Sequence, residues 1–104
     1  MHILYPVVLA SGIFAAPAFA LDGRALMEQN NCATCHAIEA QSAGPSFKDI
    51  AAKYRGDKNA MAVLERKMRY GGGGVWGKMP MPATANSVSD NELKSILQWI
   101  LSLK

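Results

Sequence analysis

Cysteine and histidine are both scarce in this chain of 104 residues. The only cysteines are Cys32 and Cys35, and the only histidines are His2 and His36. A structural zinc site usually takes four protein ligands, mostly cysteine and histidine, so this short supply argues against zinc. A disulfide between Cys32 and Cys35 would close a very small loop and add little stability, so a disulfide scaffold is not indicated either.

Charge is absent from the first 20 residues, which contain no Asp, Glu, Lys or Arg and carry an apolar run over residues 3–14. The sequence Ala18-Phe19-Ala20 follows, with the small-residue pattern that signal peptidase cleaves after. An uncleaved membrane anchor is the alternative, but the run is short and Gly12 interrupts it. We therefore predict that residues 1–20 are a cleaved signal peptide, and that residues 21–104 form one exported domain without stable membrane insertion.

The chain also lacks the alternating apolar pattern of strands, internal repeats, and a basic stripe interleaved with aromatic residues. Its net charge of +3 comes from scattered basic residues, which does not favour nucleic-acid binding. Apolar residues at helical spacing predict about four helices instead, so the expected fold class is all-α around one core. Asp22 and the pair Ser89 and Glu92 are the expected helix-starting caps, and Gly71 is an expected helix end. The four predicted helical segments are 21–31, 46–54, 57–71 and 87–104.

The sequence Cys32-Ala33-Thr34-Cys35-His36 has the Cys-x-x-Cys-His spacing of covalent attachment to a c-type haem. Two residues between the cysteines on a helical turn let both thiols reach vinyl groups on one porphyrin edge, while the adjacent histidine points at the iron. A thioredoxin-type redox pair would need a βαβ unit, and no strands are predicted. We therefore predict that Cys32 and Cys35 form thioethers to one haem c, and that His36 ligates its iron.

The second axial ligand is predicted in the segment 71–87, which has no periodic pattern. Four glycines, Gly71–Gly74, open this segment, and we interpret them as a source of local freedom rather than a phosphate-binding loop. Met81 lies between two prolines that fix the backbone on both sides, so it is the predicted ligand, with Met79 as the alternative. The remaining methionines of the mature chain lie on apolar faces of predicted helices, where methionine usually fills the core: Met27, Met61 and Met68.

Taken together, these motifs resemble the small bacterial class I cytochromes c of the c-551/c-552 type. The motifs occur in the family's order and are CATCHAI, GPSFKDIAAKYRG, GGVWGKMPMP and SDNELKSILQWILSLK. The resemblance implies an all-α fold wrapped around one covalent haem, with Met81 as the sixth iron ligand. It also implies that the Pro45 carbonyl accepts a hydrogen bond from His36, and that the Trp76 N–H reaches a haem propionate. A packed aromatic residue is the alternative role for Trp76, and Trp99 is expected in the core.

The same resemblance implies a periplasmic monohaem carrier that passes single electrons between respiratory proteins by outer-sphere transfer, and that is not an enzyme. A donor and an acceptor protein would dock weakly and transiently on the monomer, steered by the positive surface around Lys78. We expect a solvated face for at least two of the basic residues of the third helix, Arg66, Lys67 and Arg69, and the alternative role is to offset the charge of the haem propionates. The alternative function is a haem enzyme or sensor, peroxidase-like or gas-binding, with a labile sixth ligand.

Overall fold

The computed structural model describes residues 3–4 and 22–104, so the predicted signal peptide lies almost entirely outside the described residues. In chain order, the helices are α1 (Gly23–Gln29), α2 (Phe47–Lys53), α3 (Ala60–Tyr70) and α4 (Asp90–Leu101), with a 3-10 turn at Cys32–Thr34 between α1 and α2. The described ranges contain no β-strand and one isolated antiparallel bridge, between Gly72 and Met81. The predicted all-α class is therefore confirmed. No helix in this part of the chain combines the length and apolarity required to cross a bilayer.

Capping residues start and end these helices where the sequence predicts. The Asp22 carboxylate accepts hydrogen bonds from two backbone N–H groups in the first turn of α1. At α4, Ser89 Oγ accepts from the Glu92 N–H at 3.1 Å, and the Glu92 carboxylate accepts from the Ser89 N–H at 3.3 Å. This reciprocal pair satisfies two N–H groups that have no partner inside the helix. Helix α3 ends at Gly71, whose φ of +72° is unfavourable for other residues.

Helix α4 lies at the centre of the packing and contacts α1, α2 and α3. Its apolar face supplies four buried side chains: Leu93, Ile96, Leu97 and Ile100. Met27 and Met68 are buried in the same core, as their helical spacing predicts. Trp99 is half-buried, and its ring meets the Phe47 ring edge-on with centroids 5.4 Å apart. The core thus forms on one side of α4, and α2 and α3 lie where they enclose a cavity beside it.

Candidate haem site

The 3-10 turn after α1 brings the cysteine and histidine side chains to one place. The N–H groups of Cys35 and His36 both donate to the Cys32 carbonyl, at 3.2 and 3.0 Å. Both cysteines are half-buried and free, and together with His36 they line one cavity. Burial raises the pKa of the Cys32 thiol, partly offset by a backbone hydrogen bond.

The His36 ring is held on three sides. Its Nδ1 lies 2.7 Å from the Pro45 carbonyl oxygen, which can only accept, so Nδ1 donates and the lone pair of Nε2 is left for a metal. The Phe47 ring stacks on the imidazole at 5.3 Å between centroids. Gly44 closes the third side, because a Cβ there would lie 2.5 Å from His36 Cε1. This arrangement selects one tautomer and one ring orientation.

The two candidate methionines differ in exposure. Met81 is half-buried and packs against the hydrophobic core, whereas Met79 is 68% exposed. Both methionines line the cavity that His36 lines. The Met81 N–H donates to the Gly72 carbonyl and the Gly72 N–H donates to the Met81 carbonyl, each at 2.9 Å. Main-chain hydrogen bonds therefore fix both the N–H and the carbonyl group of Met81.

The glycines before this bridge have a more specific role than local freedom. Gly71 and Gly72 have φ values of +72° and +119°, a region that disfavours residues with a Cβ. At Gly71 a Cβ would also lie 2.5 Å from the Met81 carbonyl oxygen. Glycine is therefore required here because the backbone of the Met81 segment approaches so closely.

Trp76 and the basic residues lie around the cavity rather than in the core. Trp76 lines the cavity and is 41% exposed, with Lys53 Nζ lying 5.6 Å from its ring centroid. Lys67 and Lys78 also line the cavity. The Arg69 side chain is only 18% exposed and bonds to the chain beyond Met81, so Arg69 is not one of the solvated basic residues of α3.

One cavity of about 480 Å³ joins these features. Apolar side chains from three helices form much of its wall, including Phe47, Leu64 and Leu97. Two thiols, one imidazole nitrogen with a free lone pair and two thioether sulfurs also line it. Sulfur and imidazole donors in an apolar cavity match the needs of a covalently attached haem, so the residues present fit this cofactor.

The chain belongs to the cytochrome c family, because the Cytochrome c family model matches residues 20–104. It is 42% identical over 98 residues to cytochrome c-551 of Pseudomonas aeruginosa, covering 93% of this chain and 92% of that protein. It is 45% identical over 98 residues to cytochrome c-552 of Nitrosomonas europaea, covering 89% of this chain and 94% of that protein. The crystal structure of wild-type Nitrosomonas europaea cytochrome c552 matches with a TM-score of 0.73 at 46% identity, covering 78% of this chain and 99% of that one.

Family membership establishes the coarse function. The protein has the small all-α cytochrome c fold and carries one covalently bound haem c with its iron, for which two cysteines are present. It is a monohaem electron carrier that works with redox partners. The resemblance inferred from the sequence motifs is thus confirmed.

Sequence reasoning missed three residues that shape the site. The haem-site predictions made from the sequence name neither Phe47 nor Gly44, and they give Arg69 no role distinct from the other basic residues of the third helix. The stacking of Phe47 on His36 and the approach of Gly44 to the same ring have a local signal, since both residues lie within eleven positions of His36. The acceptors of Arg69 lie 16 to 21 positions away, and no local pattern indicates them.

Proposed function

We propose that this protein is a periplasmic electron carrier whose haem iron is ligated by His36 and Met81. The observation that carries the proposal is that both side chains line the same cavity as the two cysteines. His36 has its Nδ1 committed to Pro45, and Met81 is half-buried with its backbone fixed by Gly72. An imidazole nitrogen and a thioether sulfur are the axial ligands of electron-transfer cytochromes c.

Each residue of the site has a proposed role. Cys32 and Cys35 attach the haem through thioethers, and the bound haem supplies one-electron chemistry at its iron. His36 offers Nε2, and the Pro45 carbonyl holds the Nδ1 proton and increases the basicity of the ring. Met81 would offer its sulfur to the iron and so exclude water and other ligands. Trp76 would donate its indole N–H to a haem propionate.

A filled sixth position favours a carrier over an enzyme. A haem enzyme or gas sensor needs an iron position that a substrate or gas can occupy. Met81 packs against the core, so its displacement would also remove apolar contacts. We therefore propose that the protein transfers electrons through the edge of the haem and does not catalyse chemistry at the iron.

Partner docking is proposed at the exposed rim of the cavity. Val75 and Met79 are 56% and 68% exposed there, next to the exposed Lys78. A small apolar area with a positive neighbour suits weak, short-lived contact with an acidic surface. The proposed partners are a redox donor and a redox acceptor of a respiratory chain, each docking on a monomer.

Export is proposed from the charge-free residues 1–20 and the Ala18-Phe19-Ala20 pattern. The mature domain would then comprise residues 21–104. Amino-terminal sequencing of the protein from a periplasmic fraction is expected to begin at Leu21. A cytoplasmic holoprotein that begins at Met1 would overturn this part of the proposal.

Substitution of each candidate methionine tests the axial ligation. Met81→Ala is expected to lower the reduction potential, and to let the ferrous protein bind carbon monoxide at neutral pH, because it opens the sixth position. Met79→Ala is the matched control and should leave the potential and carbon monoxide binding as in the wild type. Potentiometric titration measures the potential, and absorbance spectra measure carbon monoxide binding.

An unchanged reduction potential in Met81→Ala, with a lowered potential in Met79→Ala, would assign the sixth ligand to Met79. Ready binding of carbon monoxide by the wild type would favour the enzyme or sensor instead.

A further inference from the structure

The carboxyl end of α3 and the residues directly after it contact Met81 and the residues that follow Met81. Gly72 forms the two-bond bridge with Met81 itself, at 2.9 Å for each bond. Three residues further on, the Thr84 N–H donates to the Met68 carbonyl at 2.8 Å. One short part of the chain, residues 68–72, therefore holds Met81 and the residues that follow it.

The Arg69 side chain extends this contact to the start of α4. Its Nη1 donates to the Ala85 carbonyl at 3.2 Å, and its Nη2 donates to the Val88 carbonyl at 2.8 Å and to Asp90 Oδ1 at 2.8 Å. The planar guanidinium has five N–H donors in a fixed arrangement, so a single side chain serves all three acceptors. The Ala85 carbonyl also accepts from the Val88 N–H at 3.0 Å, so Arg69 binds a segment that is already a closed turn.

The chain between α3 and α4 has few other attachments. Residues 72–80 are all exposed, so little apolar burial holds them, and Val88 is the buried residue at the far end. Segments with little burial open locally at a lower free energy than the core does. Loss of the Arg69 bonds would lengthen the free chain between Thr84, which bonds to Met68, and the buried Val88, and would favour such opening.

We propose that Arg69 is a positioning residue for Met81, which holds the 82–90 connection against α3 and so suppresses dissociation of the methionine from iron. This inference depends on the proposed ligation by Met81. The side-chain bonds of Arg69 go to Ala85, Val88 and Asp90, and not to Met81 itself. It acts by limiting how far the Met81 segment can move, and thereby how readily an external ligand replaces the sulfur.

Cyanide binding to the ferric holoprotein tests this inference, since cyanide must displace the sixth ligand. Arg69→Met keeps the aliphatic stem and removes the donors, and we expect it to raise cyanide affinity about tenfold, which is about 1.4 kcal/mol. Arg69→Lys keeps the positive charge but loses the planar set of guanidinium donors, so it should give an intermediate cyanide affinity. Asp90→Asn leaves both carbonyl bonds intact and should give a smaller rise than Arg69→Met. Hydrogen exchange at the Met81 amide should accelerate in the same order, which reports opening of the segment independently of cyanide.

Two reference variants separate the possible failures. Asp22→Ala removes the cap of α1, destabilises the fold without contacting residues 68–90, and should leave cyanide affinity unchanged. If Asp22→Ala and Arg69→Met raised cyanide affinity equally, Arg69 would have only a general structural role, and the inference would be overturned. Met81→Ala should bind cyanide more tightly than any of these. If cyanide affinity rises in Met81→Ala but not in Arg69→Met, only the inference about Arg69 is overturned. If cyanide affinity does not change in Met81→Ala, both the ligation by Met81 and the inference are overturned.

Discussion

The two sides of the cavity are held by different interactions. On the His36 side, residues 32–47, the imidazole is enclosed by Pro45, Gly44 and the buried Phe47. On the Met81 side, residues 71–89, most of the chain is exposed and is attached through main-chain hydrogen bonds and Arg69. Substitutions on the His36 side should therefore destabilise the whole fold. Substitutions on the Met81 side should first weaken the proposed ligation by Met81 while the fold persists.

The largest effect is expected for Phe47→Ala on the His36 side. Phe47 is 2% exposed and contacts both the His36 ring and the Trp99 ring. Removal of a buried phenylalanine leaves a cavity and typically costs about 3–5 kcal/mol of stability. Urea unfolding of the holoprotein measures this, with Phe47→Leu as the control that retains most of the volume. A loss in Phe47→Ala no larger than in Phe47→Leu would contradict the view that the buried volume of Phe47 stabilises this side.

Gly71→Ala should act on the Met81 side with a smaller loss of stability. The added Cβ meets the Met81 carbonyl at 2.5 Å, so the Met81 backbone must move. We expect a loss of about 1–3 kcal/mol from the unfavourable backbone conformation, and a weakened sulfur-to-iron charge-transfer band in the ferric protein.

Gly56→Ala is a matched control for this prediction. Gly56 has a φ of +78°, close to that of Gly71, but no atom lies within 4 Å of the Cβ position. The Gly56→Ala protein should lose stability only because of the unfavourable backbone conformation, and its charge-transfer band should be unchanged. Equal bands in the two variants would show that the approach of Gly71 to Met81 does not position the ligand.

The same contrast explains which features the sequence could predict. The haem attachment motif and the Ser89 and Glu92 cap are encoded within a few consecutive residues, so their residue types indicate their geometry. The Gly72 and Met81 bridge joins residues nine positions apart, and Arg69 reaches Val88 nineteen positions away. Those contacts depend on how α3 and α4 pack, which no local spacing specifies. Gly71 was predicted as a helix end but not as the point of contact with Met81. The ligation by His36 and Met81 remains a prediction.

The smallest effect concerns an exposed ion pair on the His36 side. Lys48 Nζ lies 2.8 Å from a Glu39 carboxylate oxygen, and the hydrogen bond and then the charge of Lys48 lower the pKa of Glu39. A lowered pKa in the folded state means that the pair stabilises the fold fully above the ordinary glutamate pKa of about 4.3. This contribution is lost as pH falls through the lowered value.

Lys48→Met should therefore return the pKa of Glu39 to its ordinary range and flatten the acid dependence of stability in that interval. NMR titration of the Glu39 carboxyl measures the pKa, and Lys53→Met, which removes a lysine of the same helix without touching Glu39, is the control. Because the pair is exposed, its effect on stability should be small beside that of Phe47. A pKa that stays lowered in Lys48→Met would mean that the surrounding backbone, not the lysine, stabilises the carboxylate. Two main-chain bonds hold the turn before α2, from the Phe47 N–H to the Ala37 carbonyl and from the Lys48 N–H to the Ile38 carbonyl. In that case this turn would depend on main-chain hydrogen bonds, as the Met81 side does.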